Sequence, residues 1–212
     1  MILIQPVLEL LVPPADFDMW QVGTHRPYEF LPLSGHMSRA DIGTAVLRLA
    51  LRNAYDPDDH EEEDGPTPPA DPVDALLHGL LVKDHLFAPG GFRVTDTATG
   101  VTLTPGCCNG LEEWRDWWEV LDGAGSAGFG HDPMPTAERV GDTVRLVPDI
   151  GAPDGPVIEL PAAELRRLVS GAERDLAAFL EPADAWAAEH LPDHRAPLTA
   201  ALARALDLAP EA

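Results

Sequence analysis

The sequence predicts an α+β protein whose antiparallel β-sheet is built from hairpins. Two pairs of strand-like segments are each joined by a short turn, and helical periodicity dominates the last quarter of the chain. A tryptophan-bearing amphipathic segment lies between the two pairs. We therefore expect a single α+β domain over residues 1–212, with the sheet packed against the tryptophan-bearing helix and the C-terminal helices.

The first fifty residues contain strand-like segments at both ends. Residues 2–4 and 7–12 are mostly apolar and strand-like, but Pro6 interrupts them, and a proline that cannot donate to a neighbour favours an edge strand. Ser38 and Asp41 resemble a helix start, whereas leucines alternate with Arg and Ala over residues 44–53. The alternation favours a strand from about residue 44.

Residues 56–72 form an acidic, proline-rich tract with eight Asp or Glu residues and five prolines. Such a segment buries too little apolar surface to pack, so we expect a mobile insertion. The run Asp58–Asp64 offers carboxylates to a loosely bound divalent cation, yet it lacks the glycine and ligand spacing of a calcium loop. The pattern favours a solvated tract.

The remaining elements follow from periodicity and turn residues. The expected helices and strands are a helix over 73–81, a hairpin of 92–95 with 101–104, a flexible loop over 123–130, a hairpin of 137–140 with 143–147, a strand over 157–160, a helix over 165–180 stopped by Pro182, and helices near 183–190 and 195–208.

The tryptophan-bearing helix begins in the segment PGCCNGLEEWRDWWEVLDG, residues 105–123. Asn109 is a suitable N-cap, with Glu112 three residues later as in a capping box. Spacings of three, four and three residues predict a buried stripe, whose members are Leu111, Trp114, Trp118 and Leu121. Trp117 lies off this stripe and is a candidate for stacking on a ligand.

The charge balance restricts the classes of partner. Asp and Glu total 36 against 14 Lys and Arg, a formal net charge of −22. This surface repels phosphates and anionic lipids, so it argues against nucleic-acid and membrane binding, and it attracts cations and basic proteins. The chain shows neither an apolar run of membrane-span length nor the basic start of a secretory signal, so we expect a cytoplasmic protein.

Cys107 and Cys108 are the only cysteines, and three interpretations of them stay open. A helix start favours a thiolate, and His131, followed by Asp132, is a candidate partner of a reactive thiol. A metal site is a second interpretation, although adjacent cysteines depart from the usual C-x-x-C spacing. Buried, inert thiols beside the tryptophan stripe are the third, and composition favours this one.

The segment GCCNGLEEWRDWWEVLDG, together with GHDPMPTAERVGDTVRLVPD and IELPAAELRRLVSGAERDLAAFL, resembles a group of uncharacterised actinobacterial proteins. These share a Gly-Cys-Cys-x-Gly-Leu-x-x-Trp motif, and the resemblance covers roughly residues 90–180. It implies no known activity or cofactor. In its small size and acidity the chain is also similar to immunity proteins of bacterial toxin systems.

The sequence favours a non-enzymatic binding protein that engages a basic protein partner. The alternative is a thiol-dependent or metal-binding protein centred on Cys107, Cys108 and His131. Signatures of phosphate-binding loops, serine hydrolases and zinc proteases are missing from the chain.

Overall fold

The computed structural model describes residues 1–54, 69–152 and 154–208. It confirms the α+β class, with the strands divided between two four-stranded antiparallel sheets. The first sheet has the order β2-β1-β3-β4, and its strands are β1 Ile2–Glu9, β2 Phe30–Pro32, β3 Gly90–Asp96 and β4 Thr102–Leu103. The second runs β5-β6-β7-β8, with β5 Ser126–Gly128, β6 Thr136–Val140, β7 Thr143–Val147 and β8 Ile158–Pro161.

The helices cover the first sheet and join it to the second. They are α1 Arg39–Asn53, α2 Pro72–Val82, α3 Asp116–Asp122, α4 Ala162–Ala178, α5 Leu180–His190 and α6 Arg195–Ala205. The long helix α4 packs on β1 and also contacts β7 and β8, while α5 packs on α1 and α6. One contiguous apolar core therefore includes residues of both sheets and of these helices. Within the described ranges, no helix combines the length and apolar character needed to cross a bilayer.

Both predicted hairpins and most of the helices are confirmed, including α2, α4 and α6. The predicted loop over 123–130 is only partly correct, because β5 forms within it and pairs with β6. The proposed acidic insertion falls largely on residues 55–68, which lie outside the described residues, whereas Asp71 caps α2 by accepting from the backbone N–H of Val73.

The edge-strand prediction for the N-terminus is wrong, because β1 lies between β2 and β3. Pro6 is tolerated there for a local reason. The carbonyl of Pro6 accepts from the backbone N–H of Leu33, just beyond the end of β2 at Pro32. Since the N–H and C=O of one strand residue face the same side, the N–H that Pro6 lacks would point toward the residue just beyond β2, not toward β3.

The strand predicted from residue 44 is also wrong, because residues 39–53 form α1. Ser38 caps this helix by accepting from the backbone N–H of Asp41. Every residue from 42 to 50 is buried, so the helix has no solvent face that would show a period of 3.6 in the sequence. Arg48 is accommodated because its Nε donates to the carbonyl of Glu9 at 2.7 Å.

The sequence suggested that Pro182 would stop the helical run, but the structure shows that it does not. It lies in the first turn of α5, where a missing N–H leaves no intrahelical bond unmade. The break between α4 and α5 comes earlier, at Phe179, which is fully buried.

Candidate functional site

The candidate site forms where the segment before the tryptophan-bearing helix meets the segment after β5. Cys107 and His131 pair as an isolated antiparallel bridge. The N–H of Cys107 donates to the carbonyl of His131 at 2.6 Å, and the N–H of His131 donates to the carbonyl of Cys107 at 3.1 Å. A further bond joins the N–H of Gly106 to the carbonyl of Phe129 at 2.8 Å. These three bonds hold the cysteines beside His131.

Two glycines make this close backbone approach sterically feasible. A Cβ on Gly106 would lie 2.6 Å from the nitrogen and 2.7 Å from the oxygen of His131, and still closer to the carbonyl oxygen of Pro133. Gly130 has φ +95°, and a Cβ there would lie 2.6 Å from the carbonyl oxygen of Cys107. Any larger residue at either position would force the two segments apart.

Asn109 fixes the other side of the cysteine pair. It is 6% exposed, and its Nδ2 donates to the carbonyl of Gly90 at 2.7 Å, while the N–H of Gly90 donates to the Asn109 carbonyl at 3.0 Å. The predicted N-cap role for Asn109 is therefore wrong, because Gly110 precedes the first turn. Cys108 lies between this anchor and the bridge and has a left-handed φ of +64°.

The side chains of Cys107, Cys108 and His131 converge at the surface. The two Sγ atoms lie 3.5 Å apart, and one donor atom from each of the three residues lies within 4.8 Å of the others. All three residues are exposed, so the expectation that the thiols are buried is wrong. The backbone bridge holds the cysteines on the surface, away from the tryptophans that fill the core below.

Asp132 extends the cluster by one residue. Its Oδ2 lies 3.2 Å from Nδ1 of His131, at a residue whose own φ is +50°. A carboxylate on Nδ1 favours the imidazole tautomer that carries its proton there. Nε2 is then the nitrogen that remains for the thiols or for an ion.

The electrostatics of the cluster favour a thiolate on Cys108. The pKa of Cys108 lies below its usual range, first because the Cys107 thiol donates a hydrogen bond to it and second because His131 does so. The pKa of the Cys107 thiol is raised, chiefly by that same bond to Cys108. The pKa of His131 is raised by its hydrogen bonds to Cys108 and Asp132, so the imidazolium and the thiolate stabilise each other.

We expect Cys108 to be alkylated at lower pH than Cys107, because only a thiolate reacts rapidly and the pKa of Cys108 is the lowered one. Tandem mass spectrometry of the iodoacetamide-treated wild-type chain, which distinguishes the two adjacent sites, should find Cys108 modified at lower pH than Cys107. In His131→Gln the Cys108 profile should move to higher pH, whereas in His36→Gln, at an exposed histidine elsewhere, it should not. Identical profiles for the two thiols of the wild-type chain would contradict the assignment.

Trp117 does not face a ligand, contrary to the sequence prediction. It is 1% exposed and stacks on Phe129, with ring centroids 4.3 Å apart. Trp118, predicted to be buried, is only half-buried. The cause is the backbone of this segment, which has a 3-10 turn over Leu111–Glu113 and further hydrogen bonds between residues three apart up to Trp118. Buried positions therefore recur after three residues where the sequence prediction assumed four.

Sequence reasoning named the chemical groups of the site but missed the residues that assemble it. Gly106, Gly130 and Asn109 carry no reactive group, yet they set the distance between the two segments. The sequence did contain an indication of this close approach, since one glycine immediately precedes the cysteines and another immediately precedes His131. Among the described residues, Cys107, Cys108 and His131 are the one group of three or more His, Cys, Asp or Glu residues whose donor atoms converge closely enough to share an ion. The acidic run over 58–64, considered for a divalent cation, lies outside them.

Comparisons with family models, with curated proteins and with solved structures found no significant match to this chain. The resemblance to actinobacterial proteins with the Gly-Cys-Cys motif stays a prediction. A functional proposal must therefore be argued from the geometry and charge of the chain itself.

Proposed function

We propose that the protein binds a thiophilic divalent cation, of which Zn²⁺ is the reference ion, through Cys107, Cys108 and His131. The observation that carries the proposal is the convergence of three donor atoms within 4.8 Å from two separate segments. Two thiolates bound to one Zn²⁺ stand about 3.8 Å apart, since Zn–S bonds of about 2.3 Å meet near the tetrahedral angle. The observed 3.5 Å between the sulfurs is close to that separation.

The surroundings of the three donors support the same proposal. Asp132 contacts Nδ1 of His131, the arrangement in which a carboxylate orients a metal-ligating histidine and leaves Nε2 for the ion. The lowered pKa of Cys108 reduces the cost of forming a thiolate ligand. The described residues supply three donors, so a fourth coordination position would be left for water or a substrate atom.

Co²⁺ provides the test, because thiolate ligation gives it a charge-transfer absorption that nitrogen and oxygen ligands do not. We expect the wild-type chain to develop this absorption at one equivalent and to lose it when Zn²⁺ is added. Cys107→Ser, Cys108→Ser and His131→Gln should each weaken Co²⁺ binding by at least about 10-fold, the lower end of the cost of changing even an outer-shell partner.

A second readout is thermal stability, since an ion at about 100 times its Kd adds about 2.7 kcal/mol to the folded state. His36→Gln is the matched control, because it removes an exposed histidine outside the cluster. A wild-type chain with neither thiolate absorption nor a thermal shift would exclude the metal site. Binding that survives in Cys107→Ser and Cys108→Ser would place the ion elsewhere.

The net charge of −22 favours a second proposal, that the protein engages a basic protein partner. Opposite charge mainly raises the association rate and selects the partner, and salt screens both effects. Stopped-flow association with purified basic proteins tests this proposal. One partner should bind specifically, with an on-rate that falls as salt is raised. Equally weak binding to every basic protein of similar charge would contradict it.

A further inference from the structure

The two sulfurs form a chelating pair without help from His131. Both thiols are exposed, and their Sγ atoms lie 3.5 Å apart. This is close to the separation of about 3.8 Å that a tetrahedral Zn²⁺ imposes. A pyramidal trivalent centre has bond angles nearer to a right angle, so it holds two sulfurs slightly closer together. The pair can therefore bridge a trivalent centre with two exchangeable bonds as well as a divalent ion.

We propose that the Cys107–Cys108 pair captures trivalent arsenicals of the form R–As=O as a cyclic dithiolate. The inference rests on the proposed function in one respect, namely that the two thiols act on a single thiophilic centre. It differs in the ligand bound, because the arsenic of an organoarsenical bonds to two sulfurs and its third bond is to the R group. His131 is then not a ligand.

The reaction balances without an oxidant. Each thiol forms one S–As bond, the As=O bond breaks, and the oxygen leaves as water with the two thiol protons. Arsenic remains trivalent, and neither sulfur changes its oxidation state. One exposed thiol attacks the arsenic, and the neighbouring thiol, whose sulfur lies 3.5 Å away, closes the ring.

The backbone explains why the pair is already arranged for chelation. Two hydrogen bonds to His131 fix the main chain of Cys107, and the anchored Asn109 fixes the residue after Cys108. Little backbone freedom is left to lose when the ring closes. Since both cysteines are exposed, the R group can extend into solvent, so the structure places little restriction on its size.

Phenylarsine oxide is the probe, and intact-protein mass spectrometry under non-denaturing conditions is the readout. We expect one adduct per chain, heavier by one phenylarsenic group less two hydrogens. Cys107→Ser and Cys108→Ser should each weaken the adduct by about 100-fold or more, the loss expected when a second, tethered attachment is removed. His131→Gln should bind the probe within about 3-fold of wild type.

The His131→Gln variant also distinguishes the arsenical site from the proposed metal site, because His131 is a ligand only in the latter. Retained arsenical binding with lost Co²⁺ binding supports both proposals. Arsenical binding by a wild-type chain that fails to bind Co²⁺ supports the dithiol ligand and refutes the metal site. Either of two results would overturn the inference: no adduct with the wild-type chain, or wild-type affinity in the two single-cysteine variants.

Discussion

Replacing Trp117 by alanine should lower the free energy of unfolding by about 3–5 kcal/mol, the usual cost of truncating a large aromatic side chain in a core. The indole is 1% exposed and stacks on Phe129, with ring centroids 4.3 Å apart, and on Phe92, with ring centroids 6.4 Å apart. Removing it leaves a cavity lined by two aromatic rings. This cost is a large share of the total stability of an ordinary domain. Urea unfolding of the two proteins measures it.

Trp118→Ala is the matched control, because the neighbouring indole is only half-buried and has the Arg166 guanidinium 5.4 Å from its ring. We expect it to cost less than about 1.5 kcal/mol, within the range of substitutions that open no large cavity. A larger loss for Trp118→Ala than for Trp117→Ala would contradict the three-residue spacing of this helix. It would instead support a helix with Trp118 buried, as the sequence alone predicts.

Trp117 also connects the core to the site. Phe129, its stacking partner, accepts the backbone hydrogen bond from Gly106 and precedes Gly130 and His131. A cavity at Trp117 should therefore loosen the segment that carries His131. For this reason the stability loss should be accompanied by weaker Co²⁺ binding, even though Trp117 is not one of the proposed ligands.

Gly106→Ala should weaken Co²⁺ binding by more than about 10-fold, because displacing a supporting group of a metal site usually costs 10–100-fold in affinity. The added Cβ cannot be accommodated without moving the backbone of His131 or Pro133, which separates His131 from the cysteines. Overpacking of this kind also costs about 1–3 kcal/mol of stability. Co²⁺ titration and urea unfolding of one preparation measure both effects.

Gly128→Ala is the control for that substitution. Gly128 lies in β5 two residues before Gly130, and a Cβ added to it meets no atom within 4 Å. We expect wild-type Co²⁺ affinity and nearly unchanged stability. If Gly106→Ala also binds Co²⁺ like the wild type, the close approach of the two segments does not determine the geometry of the site.

The sequence prediction is confirmed for elements whose start or turn is set by residues a few positions away. Asp71 and Pro72 mark the start of α2, and the glycine turn at 141 joins β6 to β7 as expected. Capping side chains and turn residues act within a few positions, so their effect is visible in a short stretch of sequence. The α+β class follows from the order of such local elements.

The sequence predicted which chemical groups form the candidate site but not how the fold brings them together. Cys107, Cys108, His131 and Asp132 were recognised from their side chains, and the structure brings all four together. The backbone bridge between residues 107 and 131 joins positions twenty-four apart, and its formation depends on two glycines that have no chemistry of their own. Exposure of the thiols, which the sequence did not indicate, follows from that bridge.

The sequence by itself determined the class of the fold, the acidity of the chain and the chemical groups of the candidate site. Tertiary structure decided the rest, because burial overrides local preference. Residues 44–53 alternate like a strand but become a helix, whose residues 42–50 are all buried, so no solvent face produces a period of 3.6 in the sequence. Pro6 lies inside a sheet because its missing donor faces the short end of β2. The cysteines lie at the surface for a similar reason: contacts made by their distant partners, not their own polarity, set their position.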